Sequence, residues 1–434
     1  MNNLSNLKTF AIQTLGCKVN LYESNVIKND LLSYGLIEVD FNTKADLYII
    51  NSCSVTNTAD AKSRNTINKA KKQNPDSIVL VCGCFSQAEQ DIDNVDIIIG
   101  NKFKSSIINV LEEYFNNNKE KYINVSNLLL ETEFEDSKVD HFNEHTRAFL
   151  KIQEGCNFMC SYCIIPFTRG RQRSKNHLAI LNEIKDLINS NYKEIVLTGV
   201  NTAGYLDKEN VDFYHLLKMI NDIPGEFRIR ISSVEPFQIS DEIVDLVTSN
   251  KNRFCQHWHI CLQSGSDEVL KQMNRKYSTE QFLELVNKIR TKSENTSFTT
   301  DYICGFPTET DKDHKQSLEF CKKIGFYNLH VFPYSERKYT RAANIKDKVK
   351  DVIKKQRVND FLELNKELES IFLKKFINKE VEVLFEQEFA PNKYIGKCSE
   401  YFSVVVDSNE NLINKLKKVK ITKIIINMVY GELI

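Results

Sequence analysis

Three things are missing from this 434-residue chain. It lacks any charge bias: 58 lysines and arginines meet 58 aspartates and glutamates. That balance excludes a uniformly basic coat for nucleic acid and a uniformly acidic tail, so any polyanion site must be a local patch. It lacks an apolar run near the roughly 18 residues a membrane helix needs, and the opening MNNLSNLKTF carries no apolar h-region. A cytoplasmic protein with no membrane association is therefore expected. Twelve cysteines in such a chain are not a disulfide framework, because a reducing cytosol keeps thiols free. Thiols in that number point to metal. What is present is enough apolar material to exclude whole-chain disorder, with 41% hydrophobic residues, and a length that implies two or three domains.

In the first hundred residues, short Ile/Val/Leu runs alternate with polar stretches of helical period, the pattern of a parallel sheet with helical crossovers. Strands are expected at Thr9–Gln13, Leu47–Asn51, Ile78–Cys82 and Val95–Ile99, with helices at Val19–Tyr34, Thr58–Gln73 and Lys104–Phe115. Three of these strands run into Cys17, Cys53 and Cys84. In an open parallel sheet the carboxyl ends share one edge, where ligands bind, so three distant thiols should meet there. The reading is an α/β domain over residues 7–116, then a polar linker, 117–146. A second rhythm follows in 147–350: strands at Ala148–Ile152, Ile195–Leu197, Arg228–Ser232, Trp258–Leu262, Phe298–Cys304 and Leu329–Phe332, each separated by about one helix. Six βα units predict a full or partial (β/α) barrel with chemistry on the loops after its strands. A helix, 351–376, leads to a last module, 377–434, in which VEVLF, YFSVVV and VKITKIIIN alternate with period two and read as a small β-barrel. Too small for a large core, it suits an appended binding unit.

The segment Cys156-Asn-Phe-Met-Cys160-Ser-Tyr-Cys163 places three thiols within eight residues after the first barrel strand. Structural zinc and ordinary electron-transfer clusters take four protein ligands, and the next plausible ligand, His177, lies fourteen residues beyond Cys163. A [4Fe–4S] cluster on three thiolates keeps one iron open for a small chelating cofactor.

This CxxxCxxC spacing at the head of a (β/α) barrel is similar to the radical S-adenosylmethionine (SAM) superfamily. Together with Thr14-Leu-Gly-Cys-Lys-Val-Asn-Leu-Tyr-Glu-Ser24, Asn51-Ser-Cys-Ser-Val-Thr-Asn-Thr-Ala-Asp60, Gly83-Cys84 and Gly155-Cys-Asn-Phe-Met-Cys-Ser-Tyr-Cys-Ile-Ile-Pro-Phe-Thr-Arg-Gly170, it resembles the methylthiotransferases over the whole chain. That resemblance implies SAM and two [4Fe–4S] clusters: an auxiliary one on Cys17, Cys53 and Cys84, and a radical one on Cys156, Cys160 and Cys163. It also implies a C-terminal TRAM-like RNA-binding barrel and an electron donor such as a flavodoxin or ferredoxin. The wording Gly16-Cys-Lys-Val-Asn20, Tyr22-Glu-Ser24 and Leu197-Thr-Gly-Val-Asn-Thr-Ala-Gly204 resembles the MtaB branch. That branch methylthiolates C2 of N6-threonylcarbamoyladenosine at position 37, beside the tRNA anticodon; a monomer is expected. Branches acting on isopentenyladenosine or on a ribosomal-protein aspartate are the alternatives, and a non-catalytic, zinc-stabilised RNA-binding protein is a further one. The chain departs from the family pattern after the last barrel strand, with Arg337-Lys-Tyr-Thr340 where Arg-Glu-Gly-Thr is usual.

For SAM itself, Thr198, Gly199, Asn201, Ser233 and Gln263 stand at strand ends, though a polar residue there is often a helix cap. Arg169, Arg171 and Arg173 read as a solvated run or as contacts to phosphate or to the SAM carboxylate. Cys82 would share a face with Cys84 if strand alternation ran through both, but it follows the apolar run Ile78–Val81 and reads as a buried thiol. Cys255, Cys261, Cys304, Cys321 and Cys398 lack metal spacing, and His257 and His259 are assigned to packing. Nine basic against two acidic residues in 337–357, and Lys415, Lys417, Lys418, Lys420 and Lys423 near Tyr394, Tyr401 and Phe402, are the candidate RNA patches, with Phe402 reading as core. Binding of tRNA to such patches should weaken with salt, log K falling against log salt at about −0.7 per single-strand phosphate neutralised. Filter binding from low to moderate ionic strength checks this, and a flat response contradicts it.

Overall fold

The computed structural model describes residues 4–117, 120–139, 146–249 and 252–434. The chain forms two units, each from separate stretches: one from Met1–His141, Lys151–Asn176 and Ser335–Ala343, the other from Phe142–Leu150, His177–Tyr334 and Asn344–Ile434.

The first unit is built on β1 (Thr9–Thr14), α1 (Lys18–Tyr34), β2 (Ile37–Glu38), β3 (Leu47–Ser52), α2 (Asn57–Gln73), β4 (Ile78–Gly83), α3 (Cys84–Ala88), β5 (Ile97–Ile99), α4 (Ile107–Asn116) and β6 (Tyr122–Asn124). Its sheet is parallel throughout, in the order β2-β1-β3-β4-β5-β6. The central strands are apolar on both faces because both are covered. Leu47, Ile49, Leu80 and Ile97 pack with Ile27 and Leu31 of α1 and Leu111 of α4, while Tyr48, Ile50, Val79 and Val81 pack with Ile67 and Ala70 of α2. This is why the runs read as continuous rather than alternating. The segment read as a linker contributes β6, paired to β5; three edge residues in a polar context carry no periodic signal. Residues 118, 119 and 140–145 of that segment lie outside the described residues.

Next come β7 (Arg147–Lys151), then β8 (Gln153–Glu154), α5 (Ile165–Arg169) and β9 (Arg173–Ser174), the last three belonging to the first unit. The second unit continues with α6 (His177–Asn189), β10 (Glu194–Thr198), α7 (Phe213–Asn221), β11 (Arg228–Ile231), α8 (Asp241–Thr248), β12 (His257–His259), α9 (Asp267–Gln272), α10 (Thr279–Lys292), β13 (Ser297–Cys304), α11 (Asp311–Ile324) and β14 (Asn328–Pro333). Sheets β11-β10-β7 and β12-β13-β14 are joined by the parallel bridges Ile229↔Phe254 and Val234↔Ile260, giving the six strands of a partial (β/α) barrel. Strand β12 ends at His259 rather than running on to Leu262, and α9 is an element the sequence reading missed; at six residues it is too short to show helical period.

Helix α12 (Asp351–Lys374) leads to β15 (Glu380–Ala390), β16 (Lys393–Cys398), β17 (Ser403–Asp407), β18 (Leu416–Ile425) and β19 (Met428–Leu433). These close in the order β15-β16-β17-β19-β18. Burial alternates through Glu380–Val383 of β15 and Val419–Thr422 of β18, whereas Val404, Val405 and Val406 of β17 are buried in succession. Strands β16 and β19 escaped the sequence reading because each carries a glycine, Gly396 and Gly431, that interrupts its apolar pattern. A buried carboxylate fastens this small barrel to the larger one. Glu194 of β10 accepts hydrogen bonds from Arg228 Nε and Arg230 Nε, both at 2.7 Å. The same two guanidinia donate to carbonyls of β16 and just beyond: Arg228 to Lys397 O at 2.8 Å, and Arg230 to Cys398 O at 3.1 Å and Ser399 O at 3.0 Å. Among the described residues no helix is long and apolar enough to cross a membrane.

Gly83 turns β4 into α3 with φ +104, and a Cβ there would lie 2.3 Å from Ser52 O. Gly83→Ala therefore meets both a left-handed backbone and a clash, and should cost at least about 2 kcal/mol, read as a drop in the denaturation midpoint.

Candidate functional site

Strands β1, β3 and β4 are neighbours running the same way, so their carboxyl ends share an edge, and each delivers a cysteine there. Cys17 caps α1, Cys53 follows β3, and Cys84 opens α3. The turns approach closely: Gly16 has φ +98, and a Cβ on it would stand 2.8 Å from Cys53 Sγ. Burial pushes the Cys53 thiol up to about 12, and the neighbouring Cys84 and Cys17 add to the effect. A cation beside Cys53 would oppose that shift. Alternation from Cys82 to Cys84 does not hold. The chain bends at Gly83, so Cys82 stays in the apolar core while Cys84 reaches the edge.

Cys156, Cys160 and Cys163, all half-buried, lie on the loop between β8 and α5, in the same unit. The loop is pinned at its start, Cys156 N–H donating to Gly170 O at 3.0 Å. It is also tied to the first trio. Asn101 Nδ2 lies 3.5 Å from Cys84 Sγ and donates to Thr168 O of α5 at 2.7 Å. Arg169, the next residue, donates from Nη2 to Asn20 Oδ1 at 2.5 Å, and the same oxygen lies 3.9 Å from Cys17 Sγ.

Arg169 is 1% exposed, and its guanidinium survives there because carboxylates meet it. Nη1 donates to Glu154 Oε1 at 2.6 Å and to Glu23 Oε1 at 2.9 Å. Lys104 and Lys151 also pair with Glu23, and Lys151 with Glu154 at 3.1 Å. Burial alone would raise the Glu23 carboxyl, but Arg169, Lys104 and Lys151 hold it well below its usual range. Burial would likewise lower Arg169, and Glu23, Cys84 and Glu154 reverse it. With Arg173, 4.0 Å from Glu154, four buried cations face two buried carboxylates among the described residues, the half-buried Glu135 also acting on Lys151, and within those residues Arg169 Nε has no hydrogen-bond partner. A surplus of buried positive charge with an unspent donor beside Cys84 fits an anionic, sulfur-rich group. The residues that follow Cys53, Cys84 and Cys163, namely Ser54, Phe85 and Ile164, line a cavity of about 180 Å³ with Asp60 and Arg337. Asp60 Oδ1 is buried and without a partner.

Other expected residues fare variously. In the second unit, Thr198 and Asn201 are buried after β10, Ser233 is half-buried after β11, and Gln263 is buried with φ +66, its N–H on Asp301 O at 2.9 Å. Thr198 ends β10, Asn201 and Ser233 closely follow β10 and β11, and Gln263 lies four residues past the end of β12 because that strand stops early. The solvated reading of the arginine run holds for Arg171 alone, since Arg169 and Arg173 are buried ion-pair partners. The 337–357 patch is partly spent internally: in the first unit Arg337 pairs with Asp60 at 2.6 Å, and in the second Arg357 pairs with Glu309 at 2.7 Å. Of the C-terminal aromatics, Tyr394 and Phe402 are core, and Tyr401 stacks on His257 at 4.4 Å. These three rings are thus taken up by packing and stacking within the protein, although the five lysines are exposed. His259 does more than pack. Its Nε2 lies 3.5 Å from Asp301 Oδ2, and His330 Nδ1 lies 3.2 Å from Asp301 Oδ1. Sequence reasoning also missed Asn20, Glu23, Asn101 and Lys104, whose burial no local pattern reports.

Among the described residues, the three-ligand group with all donor atoms within 4.8 Å of one another is His259, Asp301 and His330; neither cysteine trio is drawn so tightly. Tetrahedral zinc with Zn–S of about 2.3 Å needs sulfurs about 3.8 Å apart.

Comparison with known proteins follows the same lines. Residues 150–321 match the Radical SAM superfamily, and residues 9–100 match the uncharacterized protein family UPF0004. The chain is 38% identical over 429 residues, 96% of its length and 94% of the relative's, to the threonylcarbamoyladenosine tRNA methylthiotransferase MtaB of Bacillus subtilis. It is 35% identical, with 96% and 97% covered, to the tRNA-2-methylthio-N(6)-dimethylallyladenosine synthase of Carboxydothermus hydrogenoformans. The chain belongs to the radical SAM methylthiotransferase family. It is thus an enzyme of that class, as the motif resemblance implied, and the family brings with it SAM and a [4Fe–4S] cluster. The fold is similar to that of the radical SAM methyltransferase TsrM of Kitasatospora setae, with TM-score 0.54 at 12% identity over 75% of this chain and 72% of that one.

The buried network generates a sign-specific expectation. Glu23→Gln leaves Arg169, Lys104 and Lys151 short of a counter-charge and should cost about 3–5 kcal/mol. Because the folded carboxyl lies below its unfolded value near 4.3, its contribution is complete above that pH and is lost as pH falls. Denaturant melts of the wild type should weaken on acidification, and those of E23Q should lack that component.

Proposed function

We propose that this enzyme methylthiolates C2 of N6-threonylcarbamoyladenosine at position 37 of tRNA. The single observation that carries the two-cluster reading is Asn101, whose amide reaches both Cys84 Sγ at 3.5 Å and the carbonyl of Thr168, five residues past Cys163, at 2.7 Å. On this reading Cys17, Cys53 and Cys84 hold an auxiliary [4Fe–4S] cluster, and Cys156, Cys160 and Cys163 hold the cluster that binds SAM. Thr198, Gly199, Asn201, Ser233 and Gln263 contribute to the SAM site. When bound, these groups supply one-electron cleavage of the sulfonium to a 5′-deoxyadenosyl radical and a sulfur for transfer.

The chain's own part is positional and electrostatic. Asn20, Asn101 and Arg169 set the two trios within one rigid network, which proximity chemistry demands, and the surplus cations offset the charge of thiolates and cluster. The threonylcarbamoyl substrate is favoured over dimethylallyladenosine by the MtaB relatives at 38% and 37% identity and by the MtaB-like wording around Cys17, Cys53 and Gly199. An anticodon-loop base is already single-stranded, so presenting it costs less than extrusion from a duplex. The exposed lysines 415, 417, 418, 420 and 423 suit tRNA phosphates. A cytoplasmic monomer served by a flavodoxin or ferredoxin completes the reading.

Anaerobic reconstitution should give about eight irons per chain, falling to about four in Cys84→Ala or Cys160→Ala. Stoichiometric zinc without labile sulfide contradicts it. Mass spectrometry of tRNA from cells lacking the gene should show loss of methylthio from threonylcarbamoyladenosine alone; unchanged tRNA overturns the assignment.

A further inference from the structure

Residues 337–340 form a tight turn, Thr340 N–H closing on Arg337 O at 3.3 Å. Its third residue, Tyr339, has φ +68. A turn of this kind calls for glycine at that position, and the family pattern places glycine there; a bulky aromatic in the left-handed region is strained. Tyr339 gains little burial in return, for it is 69% exposed. Strain retained at an exposed aromatic serves something other than the core.

The surroundings say what. The turn is held beside both cysteine trios by contacts within the first unit. Arg337 Nη1 donates to Ser54 O at 3.3 Å, next to Cys53, and to Asp60 Oδ2 at 2.6 Å. Ala342 N–H donates to Ser161 O at 2.8 Å, between Cys160 and Cys163. The ring of Tyr339 lies 5.8 Å from that of Phe167 in α5, tilted by 40°. Arg341 and Arg171, in the same unit, are exposed cations. Exposed aromatic rings at fixed positions among cations are the means by which proteins hold unstacked bases of single-stranded RNA.

We propose that Tyr339, flanked by Phe167, is a stacking platform for the unpaired nucleobase next to the target adenosine. It is a site that fixes the register of the anticodon loop over the cysteine edge. Tyr339 lies beyond both matched family regions, 9–100 and 150–321, and the proposal rests on the tRNA reading above.

The test uses the full-length reconstituted protein and an anticodon stem-loop RNA bearing threonylcarbamoyladenosine, with 2-aminopurine placed in turn on either side of it. One 2-aminopurine position should be quenched on binding by wild type and by Tyr339→Phe, and not by Tyr339→Gly. At fixed salt Tyr339→Gly should bind roughly tenfold more weakly, with an unchanged slope against log salt because no ion pair is lost. Since glycine relieves the backbone strain, its melting temperature should equal or exceed that of wild type, which separates lost stacking from lost fold. Phe167→Leu should weaken binding in the same sense. Equal affinity and equal quenching in Tyr339→Gly would overturn the platform while leaving the tRNA reading intact; failure of the unaltered protein to bind the stem-loop would remove both.

Discussion

A guanidinium can leave water only where carboxylates and carbonyls replace its hydration, and Arg169 meets that condition with Glu23, Glu154 and Asn20. The consequence is mechanical as well as electrostatic. Arg169 sits at the end of the short helix that follows Cys163, while Asn20 and Glu23 sit in the first turns of the helix capped by Cys17. The ion network therefore ties the loop of one cysteine trio to the element carrying the other. Removing a partner would strand charge in an apolar setting, which is far more costly than losing a surface ion pair.

The same network explains why the surplus of buried cations is tolerable. Among the described residues, four positive side chains meet two buried carboxylates, with the half-buried Glu135 acting on Lys151 as well, and under the proposed function thiolates and cluster would add negative charge beside Cys84. The second unit repeats the device for another purpose, with Glu194 orienting Arg228 and Arg230 so that a small barrel is held to the larger one through backbone carbonyls.

Much of the fold was readable because parallel strands covered on both faces leave long Ile/Val/Leu runs, and because helices such as Phe213–Asn221 and Thr279–Lys292 carry full apolar stripes. The elements that escaped include β2, β6, β8 and β9, where two or three residues cannot show a period, and the six-residue β16, β19 and α9, which are short and, in the two strands, glycine-bearing. The candidate site was legible only as spacing, in Cys156, Cys160 and Cys163, and as position, in the three cysteines that stand at the ends of neighbouring parallel strands.

The sequence by itself determined the order of strands and helices and which thiols stand at turns, since those follow from local periodicity and backbone geometry. Only the tertiary structure decided that Arg169 and Arg173 are buried while Arg171 is solvated, that Arg337 is spent on Asp60, that Tyr394 joins Phe402 in a core, and that Tyr339 stands exposed in a strained turn. Those outcomes depend on contacts between residues tens to hundreds of positions apart, and burial, unlike periodicity, leaves no mark on a charged residue's neighbours in the chain.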